Sequence, residues 1–219
     1  MGSKRGVTMS KHKLALQERI LDKALEQAEA SSWEQLHLHA VAEALNITLD
    51  EIRQYFPQKD DLVEAWFDRA DRALLSAVHP EEFLELPLDE RLHQVITSWL
   101  DALAPHRRLT REMLAYKFEF GHIHLQALGI MRISRTVQWF REAASHDSTG
   151  LQRIIDECAL TTIYLTTFVR WLFDDSANSR KSKDVLNAAL RQWLGISCNR
   201  SKPSIEPAGT EETQQQPSH

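Results

Sequence analysis

The sequence predicts an all-α protein, on three grounds. Only 7 Gly and 7 Pro occur among 219 residues, and Pro203, Pro207 and Pro217 lie beyond residue 200. Long runs are rich in Leu, Ala, Glu, Gln and Arg, which lose little freedom on entering a helix. No segment alternates apolar and polar residues for long enough to mark a half-buried strand. A chain of this length suits one or two domains and can bury a substantial core.

The elements follow in order. Residues 1–12 read as a flexible basic arm with Lys4, Arg5 and Lys11. A first helix over 13–29 places Leu16, Ile20, Leu21, Ala24, Leu25 and Ala28 on one stripe. Trp33 and Leu36 plug the small core from the link that follows. Short helices are predicted over 39–45 and 49–55. Pro57 then turns the chain, since it cannot continue a helix and restricts the residue before it. A long helix over 59–78 ties this head, residues 13–58, to a larger body, residues 59–196. In the body, Leu92 to Leu103 form a helix ended by Pro105, and further helices cover 109–120 and 123–144. Thr149 and Gln152 are placed as a capping box before the next helix. That helix, over 151–173, is apolar on two flanks, Ile155, Cys158, Thr162, Leu165 and Val169 on one and Leu160, Tyr164, Phe168 and Trp171 on the other. Both flanks need burial, one in its own domain and one against a second subunit. A last helix over 182–194 carries Val185, Leu186, Ala189, Leu190 and Trp193, with Gly195 as its C-cap. Residues 197–219, rich in Ser, Pro, Glu, Thr and Gln, read as a disordered tail.

The stretch from Ala42 to Leu62 carries the functional signal. Asn46 stands where a helix ends in the left-handed region, and Asn tolerates that region better than other non-Gly residues. Thr48, followed three residues later by Glu51, is a capping box that restarts a helix at once. Two helices joined so closely cross steeply, as in a helix-turn-helix whose second member enters a major groove. On that second helix, Arg53 suits guanine and Gln54 suits adenine in bidentate contacts. An ion pair from Arg53 to Asp50 is the alternative use of its charge.

These residues resemble the TetR family of transcriptional regulators. The likeness rests on RILDKALEQAEASSWEQL at 19–36, HAVAEALNIT at 39–48 and YFPQKDDL at 55–62. It implies a three-helix DNA-binding head, with Thr48, Leu49, Arg53, Gln54, Tyr55 and Lys59 facing double-stranded operator DNA. It also implies a larger ligand-binding body and a homodimer that binds a palindrome, most simply as a repressor. The last two helices resemble the pair that forms the family's dimer interface, which assigns Leu160, Tyr164, Trp171, Leu186, Leu190 and Trp193 to the contact. Where many members carry Ser-Lys-Gly-Thr at the recognition helix, this chain has Thr48-Leu-Asp-Glu, and Leu36 and His37 replace a hydroxyl residue. Asp50 and Glu51 favour the helix dipole but repel phosphate. A second resemblance covers IYLTTFVRWLFDDSANS at 163–179, similar to ubiquinone-biosynthesis accessory proteins of the same fold that hold isoprenoid lipids. It implies the alternative of a lipid-binding protein without an operator.

The remaining signals are weaker. Trp99, Phe118, Trp139, Tyr164 and Phe168 can line a pocket for a small apolar effector or lipid, or simply fill a core. Residues 1–76 hold ten Lys and Arg against thirteen Asp and Glu, within a chain of net charge −5. That average lacks the usual basic footprint, so positive charge at the DNA must be local. The pairs His37/His39 and His122/His124 have i, i+2 spacing, which points to different sides of a helix, so no metal is expected. The arginines at 107, 108, 111, 132 and 135 fit an acidic ligand less well than solvated helix faces. No nucleophile–base–orienter set and no Gly-rich phosphate loop occur, so neither an enzyme nor a cofactor is expected. Cys158 and Cys198 read as free thiols. The amino-terminal segment lacks a hydrophobic run, and 159–173 contains Arg170 and is too short to span a bilayer. The expected location is cytoplasmic.

Overall fold

The computed structural model describes residues 3–78, 80–117, 123–146 and 150–200. Those residues are helical with no strand. The head comprises α1 (Ser3–Ala30), α2 (Leu38–Leu45) and α3 (Leu49–Arg53), followed by α4 (Lys59–Ser76). The body continues with α5 (Pro80–Glu85), α6 (Leu88–Leu103), α7 (Arg107–Lys117), α8 (Ile123–Ala143), α9 (Gly150–Leu172) and α10 (Arg180–Arg200). Short 3-10 turns at Ala104–His106 and Ala177–Ser179 precede α7 and α10.

Several boundaries differ from expectation, and three of them have a plain physical reason or consequence. The segment read as an arm continues α1, which begins at Ser3, so the stripe starting at Leu16 belongs to a longer helix. Gly195 lies inside α10, with nothing near the position of a Cβ, and 197–200 extend that helix. Unbroken i→i−4 pairing thus overrides glycine's stop tendency there. The recognition helix is shorter than predicted, because Gln54 is its C-cap. Thr149 lies outside the described residues, as do Phe118 and 201–219; Gln152 donates to Asp156 Oδ1 at 2.6 Å.

The cores of head and body form one continuous cluster. Ile20, Leu21, Ala24 and Leu25 of α1 pack with Trp33, Leu36, Val41, Ile52 and Phe56 to fill the head. Leu62, Val63, Trp66, Phe67, Ala70 and Leu74 carry α4 from that head onto α6, its most extensive partner. Trp99 sits at the centre of the body, packed against Phe67, Phe140, Tyr164 and Phe168 at ring separations of 5.3 to 6.1 Å. The α9–α10 corner is closed by Asp174. Its Oδ1 accepts from Ser176 N at 2.9 Å and its Oδ2 from Ser182 N at 2.8 Å, while both serine hydroxyls also donate to it. Burial alone would push the Asp174 carboxyl up; these hydrogen bonds outweigh it and hold the group well below the usual range.

Candidate nucleic-acid interface and effector cavity

The turn between α2 and α3 is built from its own side chains. Asn46 adopts φ 53°, ψ 47°, and its N–H donates to Glu43 O at 3.1 Å while Ile47 N–H donates to Ala42 O at 3.0 Å. Two orphan carbonyls at the end of α2 are thereby satisfied. Thr48 is extended, its Oγ1 accepts from Glu51 N at 3.1 Å, and Glu51 Oε2 accepts from Thr48 N at 2.8 Å. The backbone hydrogen bond from Thr48, with that of its hydroxyl, lowers the Glu51 pKa. Glu51 is therefore spent on the cap, an ionised carboxylate turned back on its own helix.

Ile52 and Phe56 anchor α3 inward, so its other face looks out. Leu49 is 52 % exposed, and Arg53 and Gln54 are exposed rather than tucked inward. Both touch Asp50: Arg53 Nε lies 3.8 Å from Oδ1, and Gln54 Nε2 donates to Oδ2 at 3.4 Å. These long contacts between exposed side chains are worth little and can be exchanged for others. Tyr55 is half-buried beside them.

Lys59, expected at a phosphate, makes contacts within the chain. Its ammonium donates to Trp33 O at 2.5 Å and Glu34 O at 3.2 Å, and lies 5.1 Å from the Trp33 ring and 5.8 Å from the Tyr116 ring. Burial lowers its pKa. The side chain fastens the first turn of α4 to the α1–α2 link. Further polar contacts join head and body. Glu29 pairs with Arg108 at 3.0 Å and lies 3.1 Å from His106 Nδ1, Trp33 N donates to Glu112 at 2.8 Å, and Glu18 accepts from Arg69.

Below this seam lies a cavity of about 210 Å³, lined by Phe67, Leu114, Lys117, Arg132, Ile133, Thr136, Tyr164, Leu165, Phe168, Val169 and Leu172. Tyr164 and Phe168 are among its lining residues. Trp99 and Trp139 are not: Trp99 is sealed in the core with its indole donating to Asp71 at 2.8 Å, and Trp139 is 40 % exposed away from the lining. Its surface is almost wholly apolar, because Lys117 and Arg132 turn their charged ends to carboxylates of α4. Arg132 donates to Asp71 Oδ2 at 2.7 Å and pairs with Asp68, Lys117 pairs with Glu64, and Arg135 reaches Asp68 at 3.2 Å and Glu64 at 3.3 Å. Burial pushes the Asp71 carboxyl up, and Arg132 opposes that shift. Glu64, Asp68 and Asp71 share one face of α4 by their spacing, a sign readable beforehand that the body's arginines would meet an acidic stripe. Arg107 is likewise engaged, over Trp171 and on the Asp174 carbonyl. Among the described residues no group of three metal-ligating side chains occurs.

The expected dimer contact needs correction. Leu160, Trp171, Leu186 and Leu190 are wholly buried within one protomer, and Tyr164 nearly so, because α9 and α10 pack against each other and α10 against α6. Trp193 is half-buried. The opposite flank of α9 faces outward: Leu151, Ile154, Ile155, Cys158, Val169 and Phe173 are exposed. The sequence shows both stripes, and the larger aromatic side chains went inward.

A scan of protein-family models and of curated proteins returns no match. Solved structures do match. The chain is 45 % identical to a TetR transcriptional regulator from Nitrosomonas europaea ATCC 19718, over 83 % of this chain and 99 % of that one, with a TM-score of 0.74. A TetR transcriptional regulator from Rhodococcus sp. RHA1 shares the fold at 17 % identity and a TM-score of 0.62, over 84 % and 97 % of the two chains. The chain belongs to the TetR family of transcriptional regulators. No helix among the described residues is long and apolar enough to cross a membrane.

Proposed function

We propose that this regulator is a cytoplasmic, ligand-responsive homodimer that represses transcription by seating α3 in successive major grooves of a palindromic operator. One observation carries the reading: a self-capped turn holds α3 so that Arg53 and Gln54 project outward from a buried Ile52–Phe56 anchor. Arg53 leaves its loose contact with Asp50 for a guanine edge, and Gln54 takes an adenine edge. Thr48 and Tyr55 sit at the ends of that surface, where phosphates pass, and Leu49 offers an apolar contact. The exposed stripe of α9, from Leu151 to Phe173, supplies the surface on which two copies meet. The cavity beneath α4 supports a small apolar effector, since Arg132 in its lining is tied directly to Asp71 on the helix that leaves the head.

Selection of bound duplexes from a random pool tests this reading. The wild-type protein enriches a palindrome, and Arg53→Ala and Gln54→Ala each relax the motif at specific positions. Unchanged motifs in both variants overturn the assignment. With roughly 6–10 phosphate contacts per dimer, affinity drops by about 10³ or more between about 50 and 200 mM salt.

The lipid-binding alternative draws on the acidic Asp50 beside the reading residues. Its cavity is small for that role, at about 210 Å³ against the roughly 300–1,000 Å³ of sites for drug-sized ligands. Mass spectrometry of extracted ligand beside a gel shift separates the two; an isoprenoid without DNA binding selects the lipid carrier.

A further inference from the structure

We infer that Asp50 is a specificity-determining residue of α3, whose carboxylate selects a cytosine in each half of the operator. The inference rests on the operator reading above and names one base that this surface demands. Position comes first. At about 100° per residue, Asp50 lies about 160° round α3 from the buried Ile52, and Gln54 lies the same angle round the other way. The two side chains therefore straddle the line of the helix that faces furthest from the core, with Arg53 on the Asp50 side. A duplex read by Arg53 and Gln54 must also meet Asp50, whose side chain is 74 % exposed. Glu51, the other carboxylate of α3, is turned back on the Thr48 cap and does not compete.

The base follows from what a carboxylate can accept. Asp50 touches Arg53 Nε at 3.8 Å and Gln54 Nε2 at 3.4 Å, and docking draws both of those side chains to base edges. An ionised carboxylate has no proton to give, and pressed into a groove without a donor it loses its hydration uncompensated. Phosphates repel it. Guanine presents N7 and O6 and thymine presents O4, all acceptors, so both edges repel it as well. Adenine N6 donates but lies beside the N7 acceptor. Cytosine N4 donates with no acceptor on its own major-groove edge. The same charge lowers affinity wherever no amino group meets it, so Asp50 discriminates against wrong sites as much as it favours the right one.

The test is selection of bound duplexes from a random pool with full-length wild type, Asp50→Ala and Asp50→Asn. Affinities are then measured for the enriched duplex, for that duplex with the cytosine pair changed, and for random duplex. Wild type is expected to prefer cytosine at one position per half-site by roughly ten- to hundredfold, the usual worth of a matched pair. Asp50→Ala makes that position degenerate, keeps the others, and binds random duplex more tightly than wild type. Asp50→Asn moves the preference to adenine, because an amide matches N6 and N7 together. A motif unchanged by Asp50→Ala overturns the inference. So does a loss confined to the positions that Arg53→Ala relaxes, since Asp50 would then act only by holding the arginine. Wild type that enriches no sequence sinks the operator reading and this inference with it, whereas a motif intact in Asp50→Ala sinks this inference alone.

Discussion

The indole N–H of Trp99 on α6 donates to Asp71 on α4 at 2.8 Å, and the same carboxylate accepts from Arg132 on α8. Three helices therefore meet on one buried carboxylate. Asp71→Ala strands the arginine and the indole together. We expect a loss of about 3–5 kcal/mol, the cost of breaking a buried pair on one side. Asp71→Asn keeps an acceptor for Trp99 and loses less. Urea denaturation of both variants checks the order, and equal losses contradict a contribution from the Trp99 hydrogen bond.

Asn46 sits in the left-handed region at φ 53° without a glycine's freedom. A β-carbon there costs roughly 1–2 kcal/mol unless the side chain compensates locally, as Asn does. Asn46→Ala is expected to destabilise the head by about 1 kcal/mol, and Asn46→Gly to be near neutral. Thermal melts decide the matter, and an alanine variant as stable as wild type refutes it.

Asp174 gives an acid-sensitive corner. Its folded-state pKa lies below that of the unfolded chain, about 3.9, so its stabilisation is complete above that value. As pH falls through about 4 and lower, protonation removes it. Asp174→Asn should therefore melt below wild type at pH 7, with the gap closing as the pH is taken from about 5 towards 3. A gap constant across that range contradicts the linkage.

The two flanks of α9 separate stability from assembly. Leu160→Ala removes a wholly buried side chain and is expected to cost about 2–5 kcal/mol. On the proposed dimer, Ile154→Glu and Ile155→Glu lie on the exposed stripe, and should leave the melting temperature of the protomer unchanged while shifting the protein to monomer. Sedimentation velocity reads the result. Dimers that persist in both glutamate variants move the interface elsewhere.

The head is legible in sequence because its determinants are local. Asn46, Thr48 and Glu51 act within six residues of one another, and the structure places each as capping chemistry demands. The division of α9 is not legible in that way. Both flanks carry helical periodicity, and only tertiary packing on α6 and α10 decides that Leu160 and Trp171 turn inward while Ile155 and Val169 turn out. The surroundings of Lys59 are illegible for a related reason. Its place after Tyr-Phe-Pro is regular, but the destination of its ammonium depends on Trp33, 26 residues earlier in the chain. Arg132 and Arg135 found partners 61 to 71 residues away on α4, although the regular spacing of Glu64, Asp68 and Asp71 marks where such partners lie.

To the apolar cluster that runs from head to body through α4, Glu18, Glu29, Trp33 and Lys59 add contacts with polar partners. Contacts of that kind trade readily with water, whereas interlocked methyl groups do not slide without opening voids. On the proposed regulatory reading, these polar ties are where α4 gives way first, each remade to water while the apolar interior stays shut.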